Sequence, residues 1–204
     1  MPYMSAHLLA DAEIRPILRS LLVSSHLDQP DTVLLDEVGI CRGQVRIDLA
    51  MVNGTIHGYE IKSDRDSLRR LKGQIDLYGR VLDRATLVVG ARHLTDAIAM
   101  LPFWWGVLRV ETTRSGARLK TVRKGRWNPQ RDARALVELL WLEDAMALLT
   151  RHKLDRGMKG KPRGVVWDHV CSNLEIEVIA AAVRTNLKAR VKSLADLQPQ
   201  PCGG

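Results

Sequence analysis

The sequence predicts an α/β fold: a mixed central sheet flanked by helices, with a helical appendage at the C-terminal end. Three stretches predict it. Gln44 to Val52 alternates, with Val45, Ile47, Leu49 and Met51 on one side and Arg46, Asp48, Ala50 and Val52 on the other. Asn53-Gly54 is a hairpin signal, and Ile56 to Lys62 forms the returning strand. Leu68, Leu71, Ile75, Tyr78 and Leu82 then mark a helical stripe, followed by the apolar run Ala85 to Gly90, which fits a buried central strand parallel to a neighbour.

The remaining elements follow from the same signals. Ser5 to Ser24 is helical by the spacing of Ile14, Ile17, Leu18, Leu21 and Leu22, with a kink or restart expected at Pro16. Thr32 to Val38 reads as a strand that ends in two acids, Asp36 and Glu37. His93 to Met100 is a short helix. Phe103-Trp104-Trp105 leads into a closing hairpin, Gly106 to Thr113 and Ala117 to Lys124, and core packing explains these aromatics better than base stacking does. Asn128-Pro129 has the form of an N-cap followed by proline at the first helical position, opening one helix to about Lys153. A basic, glycine-containing loop from Arg151 to Arg163 precedes two further helices, near Val165 to Cys171 and Leu174 to Lys192. The expected organisation is a core over residues 1–127, a basic helical appendage over 128–198 and a disordered tail over 199–204.

Composition narrows the functional classes. An apolar fraction of 46% supports a packed core, and a formal charge of +8 favours a polyanionic partner such as DNA. Cys41, Cys171 and Cys202 are odd in number and far apart, which argues against a disulfide framework or a zinc knuckle. No apolar stretch approaches the roughly 18 residues of a membrane span, and no basic leader precedes an apolar run, so the expectation is a cytoplasmic protein. Between Arg109 and Arg126 seven bases face one acid, Glu111, which makes the closing hairpin either a phosphate-tracking surface or a solvated edge protected by charge.

The candidate chemistry lies between Arg46 and Tyr78. Asp48 is the lone acid of a half-buried strand, and a buried carboxylate requires a cation: a metal, Arg46 or another base. Glu60 and Lys62 share a face of the next strand. Asp48 joins that face only across a turn of odd length, such as a three-residue loop with Gly54 at positive φ, and this is the turn expected here. Two carboxylates about 4 Å apart repel by about 4 kcal/mol at an effective dielectric near 20, so the pair favours a divalent ion. Mg²⁺ (or Mn²⁺) bound by Asp48, Glu60 and the Ile61 carbonyl fits those donors, with Lys62 beside a reacting phosphate. Glu13 on the first helix is a further candidate ligand, with Asp11 as its competitor. Gln74 and Tyr78, one turn apart, face either the site or, for Tyr78, the core and, for Gln74, solvent.

Asp48, then Glu60-x-Lys62 on the following strand, then Gln74-x-x-x-Tyr78 on a helix together resemble the PD-(D/E)XK nuclease superfamily, in its Holliday junction resolvase and RecB-like branch. Gly58 to Asp64 and Phe103 to Gly106 look similar to a group of uncharacterised bacterial and phage proteins of that superfamily. The resemblance covers roughly residues 5 to 125, and no proline precedes Asp48. It implies a restriction-endonuclease-like core and a Mg²⁺-dependent hydrolase, a deoxyribonuclease acting on DNA phosphodiesters. In that reading Asp48, Glu60, Lys62, Gln74 and Tyr78 are catalytic, and Asp48, Glu60, Ile61 and Glu13 hold the metal. A homodimer is compatible with it, although no segment marks a dimer surface. The rival reading is a non-catalytic DNA-binding or regulatory protein in which the acid site is vestigial.

Overall fold

The computed structural model describes residues 9–26, 29, 31–113 and 116–196. The sequence-based start of the first helix (residues 5–8), Ser115 of the closing hairpin and the 199–204 tail lie outside the described residues.

A six-stranded mixed sheet organises the chain, with strands β1 (Val33–Ile40), β2 (Val45–Val52), β3 (Ile56–Lys62), β4 (Arg84–Val89), β5 (Gly106–Thr113) and β6 (Gly116–Arg123) lying side by side in sequence order. The β1–β2, β2–β3 and β5–β6 pairs are antiparallel; β3–β4 and β4–β5 are parallel. Helices cover both faces. α1 (Asp11–Ser24) packs Ile14, Leu18 and Leu22 against Leu49, Met51, Tyr59, Ile61, Val88 and Val110. The other face is larger. There α2 (Leu71–Gly79) and α3 (Leu94–Met100) share one continuous apolar cluster with α4 (Ala133–Val137), α5 (Leu142–Arg151), α6 (Arg163–Asn173) and α7 (Ile176–Asp196). β4 shows why a central strand reads as an unbroken apolar run: Ala85, Leu87 and Val89 enter that cluster while Val88 enters the α1 side, so both faces are covered.

The β2–β3 turn is three residues long. Val52 pairs with Ile56 and Leu49 with Tyr59, a register that sets Asp48 level with Glu60. Gly54 does not take positive φ. Instead the Asn53 side chain accepts from Thr55 N at 3.0 Å, and Asn53 N donates to Thr55 O at 3.1 Å, so the side-chain oxygen supplies the turn that glycine was expected to supply.

Three local expectations change. α1 runs without a break through Pro16. The alternation of β2 is interrupted: Val45 and Ile47 pack with Ala50 and Val52, whereas Leu49 and Met51 enter the other cluster. The phase shift falls at Asp48, level with Glu37 of β1, which stands in left-handed backbone at φ 53°. Finally, the single helix expected from Asn128 is two, α4 and α5. Asn128 caps neither: its side chain donates to Gly79 O and Leu82 O, both at 2.7 Å, and the N-cap of α4 is Asp132, accepting from Arg134 N and Ala135 N. A buried amide tying a loop to two distant carbonyls uses the same side chain that a cap would use, and local sequence does not separate the two.

Candidate functional site

Glu60 is the hub. It sits on the β3 face covered by α2, 1% exposed, which places it under Gln74 and Tyr78 of that helix. Oε1 pairs with Lys62 Nζ and accepts from Gln74 Nε2; Oε2 accepts from Tyr78 OH at 2.5 Å. Tyr78 OH also lies 2.8 Å from Arg46 O, so the phenol bridges β2 and β3 from inside the core. Burial, then the Glu60 charge, pushes the Tyr78 phenol well above its ordinary pKa. Tyr78 is thus core and site at once, and Gln74 is held at the site rather than left in solvent.

Asp48 occupies the gap where β2 and β3 stop pairing. Its Oδ2 accepts from Ile61 N at 2.7 Å, standing in for a ladder carbonyl. The cation it requires is Arg15 of α1, not Arg46: the guanidinium donates to Asp48 O at 2.6 Å and lies 3.6 Å from Asp48 Oδ1. Arg15 also pairs with Asp11 and Glu37, each at 3.0 Å. One arginine therefore neutralises a ring of carboxylates drawn from α1, β1 and β2, a role absent from the sequence-based expectations. Its only local signal is the spacing of four from Asp11.

Asp48, Glu60, Lys62 and Gln74 line one cavity of about 670 Å³, and Asp11, Glu37 and Arg46 help form its walls. Arg69 and Arg70, at the start of α2, line it as well. Arg46, Arg69 and Arg70 are exposed and form no ion pair among the described residues.

Burial, and secondarily Glu60, pushes the Asp48 carboxyl up to about 7; the Ile61 N–H, Lys62 and Arg15 pull the other way. The folded value lies above the ordinary carboxylate value, so the folded state holds an extra proton between about pH 4 and 7. That stabilisation is complete below about pH 4 and is lost as pH rises towards 7, with a slope of up to about 1.4 kcal/mol per pH unit. Thermal unfolding followed from pH 5 to pH 8 should therefore show Tm falling with pH in the parent protein, and a flatter profile in Asp48→Asn. An identical slope in the variant would remove Asp48 as its source.

Protein hydrogen bonds occupy the expected metal ligands Asp48 and Glu60. Both Glu60 oxygens are taken by protein donors, and one Asp48 oxygen is held by the Ile61 N–H. Glu13 does not line the cavity; it is exposed and accepts from Ala10 N at 2.8 Å at the start of its own helix, and Asp11 is the α1 acid at the cavity. No group of three or more His, Cys, Asp or Glu comes together as a metal cage among the described residues. The charge repulsion expected of the acid pair is answered by Lys62 and Arg15.

β6 is an exposed edge strand, as in the solvated-edge reading of the closing hairpin. Arg109, Arg118 and Lys120 converge on Glu111, and Arg123 donates to Trp105 O and Pro102 O. Arg114 lies outside the described residues, which leaves Lys124 and Arg126 as the hairpin's cations whose side chains have neither an ion pair nor a hydrogen bond among the described residues. Trp104 and Trp105 are core, while Phe103 is exposed. No helix among the described residues is long and apolar enough to cross a membrane.

A family model described as "Bacteriophage P4 protein cII" matches residues 4–198, taking in the sheet and the C-terminal helices together. A curated relative, Protein cII of Enterobacteria phage P4, is 30% identical over 121 residues, 59% of this chain and 46% of its own length, so the chain spans about half the length of the relative it matches. No solved structure matches. These matches overturn the resemblance to PD-(D/E)XK nucleases: the family found is that of a phage P4 protein and no nuclease family is indicated, so the deoxyribonuclease, endonuclease and hydrolase readings fall with it. The physical reason the motif misled is that an acid, an acid and a lysine on adjacent strands serve equally as metal ligands or as a closed ion-pair knot. The chain belongs to the bacteriophage P4 protein cII family.

Proposed function

We propose that this is a non-catalytic, DNA-binding regulatory protein, acting by occupying DNA rather than by cutting it. One contrast carries the reading. The acids at the cavity floor are matched by the protein's own Lys62, Arg15, Gln74 and Tyr78, whereas Arg46, Arg69 and Arg70 around them are exposed and lack a carboxylate partner among the described residues. A polyanion is the ligand that such arginines attract, and the excess of eight positive charges supports it. The family match across both halves of the chain supports a role for the helices as well as the sheet.

In this reading the acid–lysine knot ties β2, β3 and α2 together. The restriction-endonuclease-like layout is retained only as a proposal about strand order, supported by the hairpin, helix and parallel-strand path from β2 to β4. Mg²⁺ or Mn²⁺ enters the proposal as a competitor of Arg15 for Asp48, not as a reagent.

Fluorescence anisotropy with a labelled 30-base-pair duplex (a probe of about three helical turns) tests the proposal. Expected are binding that weakens steeply with salt, a complex that forms in EDTA with no added metal, and recovery of the duplex intact from the Mg²⁺ arm. Absence of a complex at low salt, or shortened DNA in the Mg²⁺ arm, overturns it.

A further inference from the structure

The end of α5, the loop from it to α6 and the first turn of α6 carry Arg151, Lys153, Arg156, Lys159, Lys161 and Arg163 against a single acid, Asp155. All six cations are exposed, and none forms an ion pair among the described residues. Arg163 stacks over the Trp167 ring at 4.5 Å, which leaves its N–H edge open. The neighbouring acid Asp168 is already paired with Arg134 at 2.8 Å.

A charge run of this length is ordinarily a solvated linker, but this one is built. Leu154 and Met158 turn inward onto the core. His169 Nε2 meets Leu154 O at 3.0 Å, and successive turns close from Met158 N to Asp155 O and from Lys161 N to Met158 O. Gly157 and Gly160 supply left-handed backbone at φ 78° and 76°. The cations are therefore held on a fixed frame, which reduces the ordering cost of engaging a ligand. α6 starts there with no acid in its first turn, so its positive pole adds to the same field.

We propose that this loop and the start of α6 form a docking surface for the sugar–phosphate backbone of duplex DNA, separate from the cavity beside α2. The proposal rests on the DNA-binding reading above and adds a second surface to the cavity arginines that carry that reading. A membrane-surface segment would pair its cations with a row of outward apolar side chains; here Leu154 and Met158 face the core and Val165 alone of this surface's large apolar side chains is exposed, which favours the duplex. Contacts of this kind position a protein without reading sequence.

The test uses the full chain and the triple variant Arg156→Ala/Lys159→Ala/Lys161→Ala, whose side chains are exposed, with circular dichroism as the folding check. Affinity for two duplexes of unrelated sequence and equal length is measured across a salt series. The variant is expected to lose at least about tenfold in affinity on both duplexes at low salt, and to show a log–log salt slope shallower by about 2 to 3, one phosphate per cation removed. Parent and variant with the same affinity and slope would sink the proposal while leaving the DNA-binding reading standing. A parent protein that binds neither duplex removes both, and binding only to phosphatidylglycerol vesicles would reassign the loop to a lipid surface. Should the triple variant misfold, Lys159→Glu/Lys161→Glu serves in its place, with the same losses expected and the same overturning result.

Discussion

Glu60→Ala is expected to destabilise the fold by about 3 to 5 kcal/mol, the range for breaking one side of a buried ion pair. The loss goes beyond one salt bridge. Lys62 is 5% exposed and would be left as a buried cation, while Gln74 Nε2 and the Tyr78 hydroxyl would lose the same acceptor. Chemical denaturation at neutral pH measures it. The companion variant Glu60→Leu/Lys62→Met removes both charges at similar volume, and it should recover most of the loss, because a buried pair replaced by packed apolar groups is often neutral or better. The same double variant also bears on function: as a closed knot it can be exchanged without loss of DNA affinity. A double variant as unstable as the single one would show that the pair does more than neutralise itself.

Asp83→Ala is expected to cost a similar amount, about 3 to 5 kcal/mol, for a different structural reason. Asp83 is 1% exposed at the entry to β4, and it joins the sheet to the helical half of the chain. Its Oδ2 accepts from Ile56 N at 2.7 Å, its Oδ1 accepts from Arg131 at 2.7 Å, and Arg184 of α7 stands 3.6 Å away. Arg131 continues the path by pairing with Glu177 at the start of α7 and by lying over the Trp127 ring. Removing the carboxylate leaves Arg131, itself nearly buried, beside an unsatisfied backbone N–H. Asp83→Asn should be milder, since its amide oxygen can still serve Ile56. Equal losses in the two variants would mean that charge, not the hydrogen bond, holds this junction.

Residues that signal through their immediate neighbours were legible. The three-residue turn that aligns Asp48 with Glu60 followed from requiring both acids on one face, because Asn53-Gly54 alone also suits a two-residue hairpin; Asn53 rather than Gly54 supplies the turn chemistry. The stripe of α2 carried Gln74 and Tyr78 to Glu60, and the apolar run of β4 announced a strand covered on both faces. Asp83 shows the opposite case: nothing around Leu82-Asp83-Arg84 marks it as a junction, because both of its cations come from the other half of the chain.

By itself the sequence determined the α/β class, the run of strands and helices from β2 to β4, and the gathering of Asp48, Glu60, Lys62, Gln74 and Tyr78 at one place. These follow from period, turn residues and side-chain size, which act over a few positions. Only the tertiary structure decided which cation answers Asp48, where the alternation of β2 breaks, which of the hairpin's bases are drawn onto Glu111, and that the 151–163 loop is a fixed array. Arg15 reaches Asp48 across 33 positions and His169 pins Leu154 across 15. The partner of a charge is set by distance in space, which local sequence does not encode.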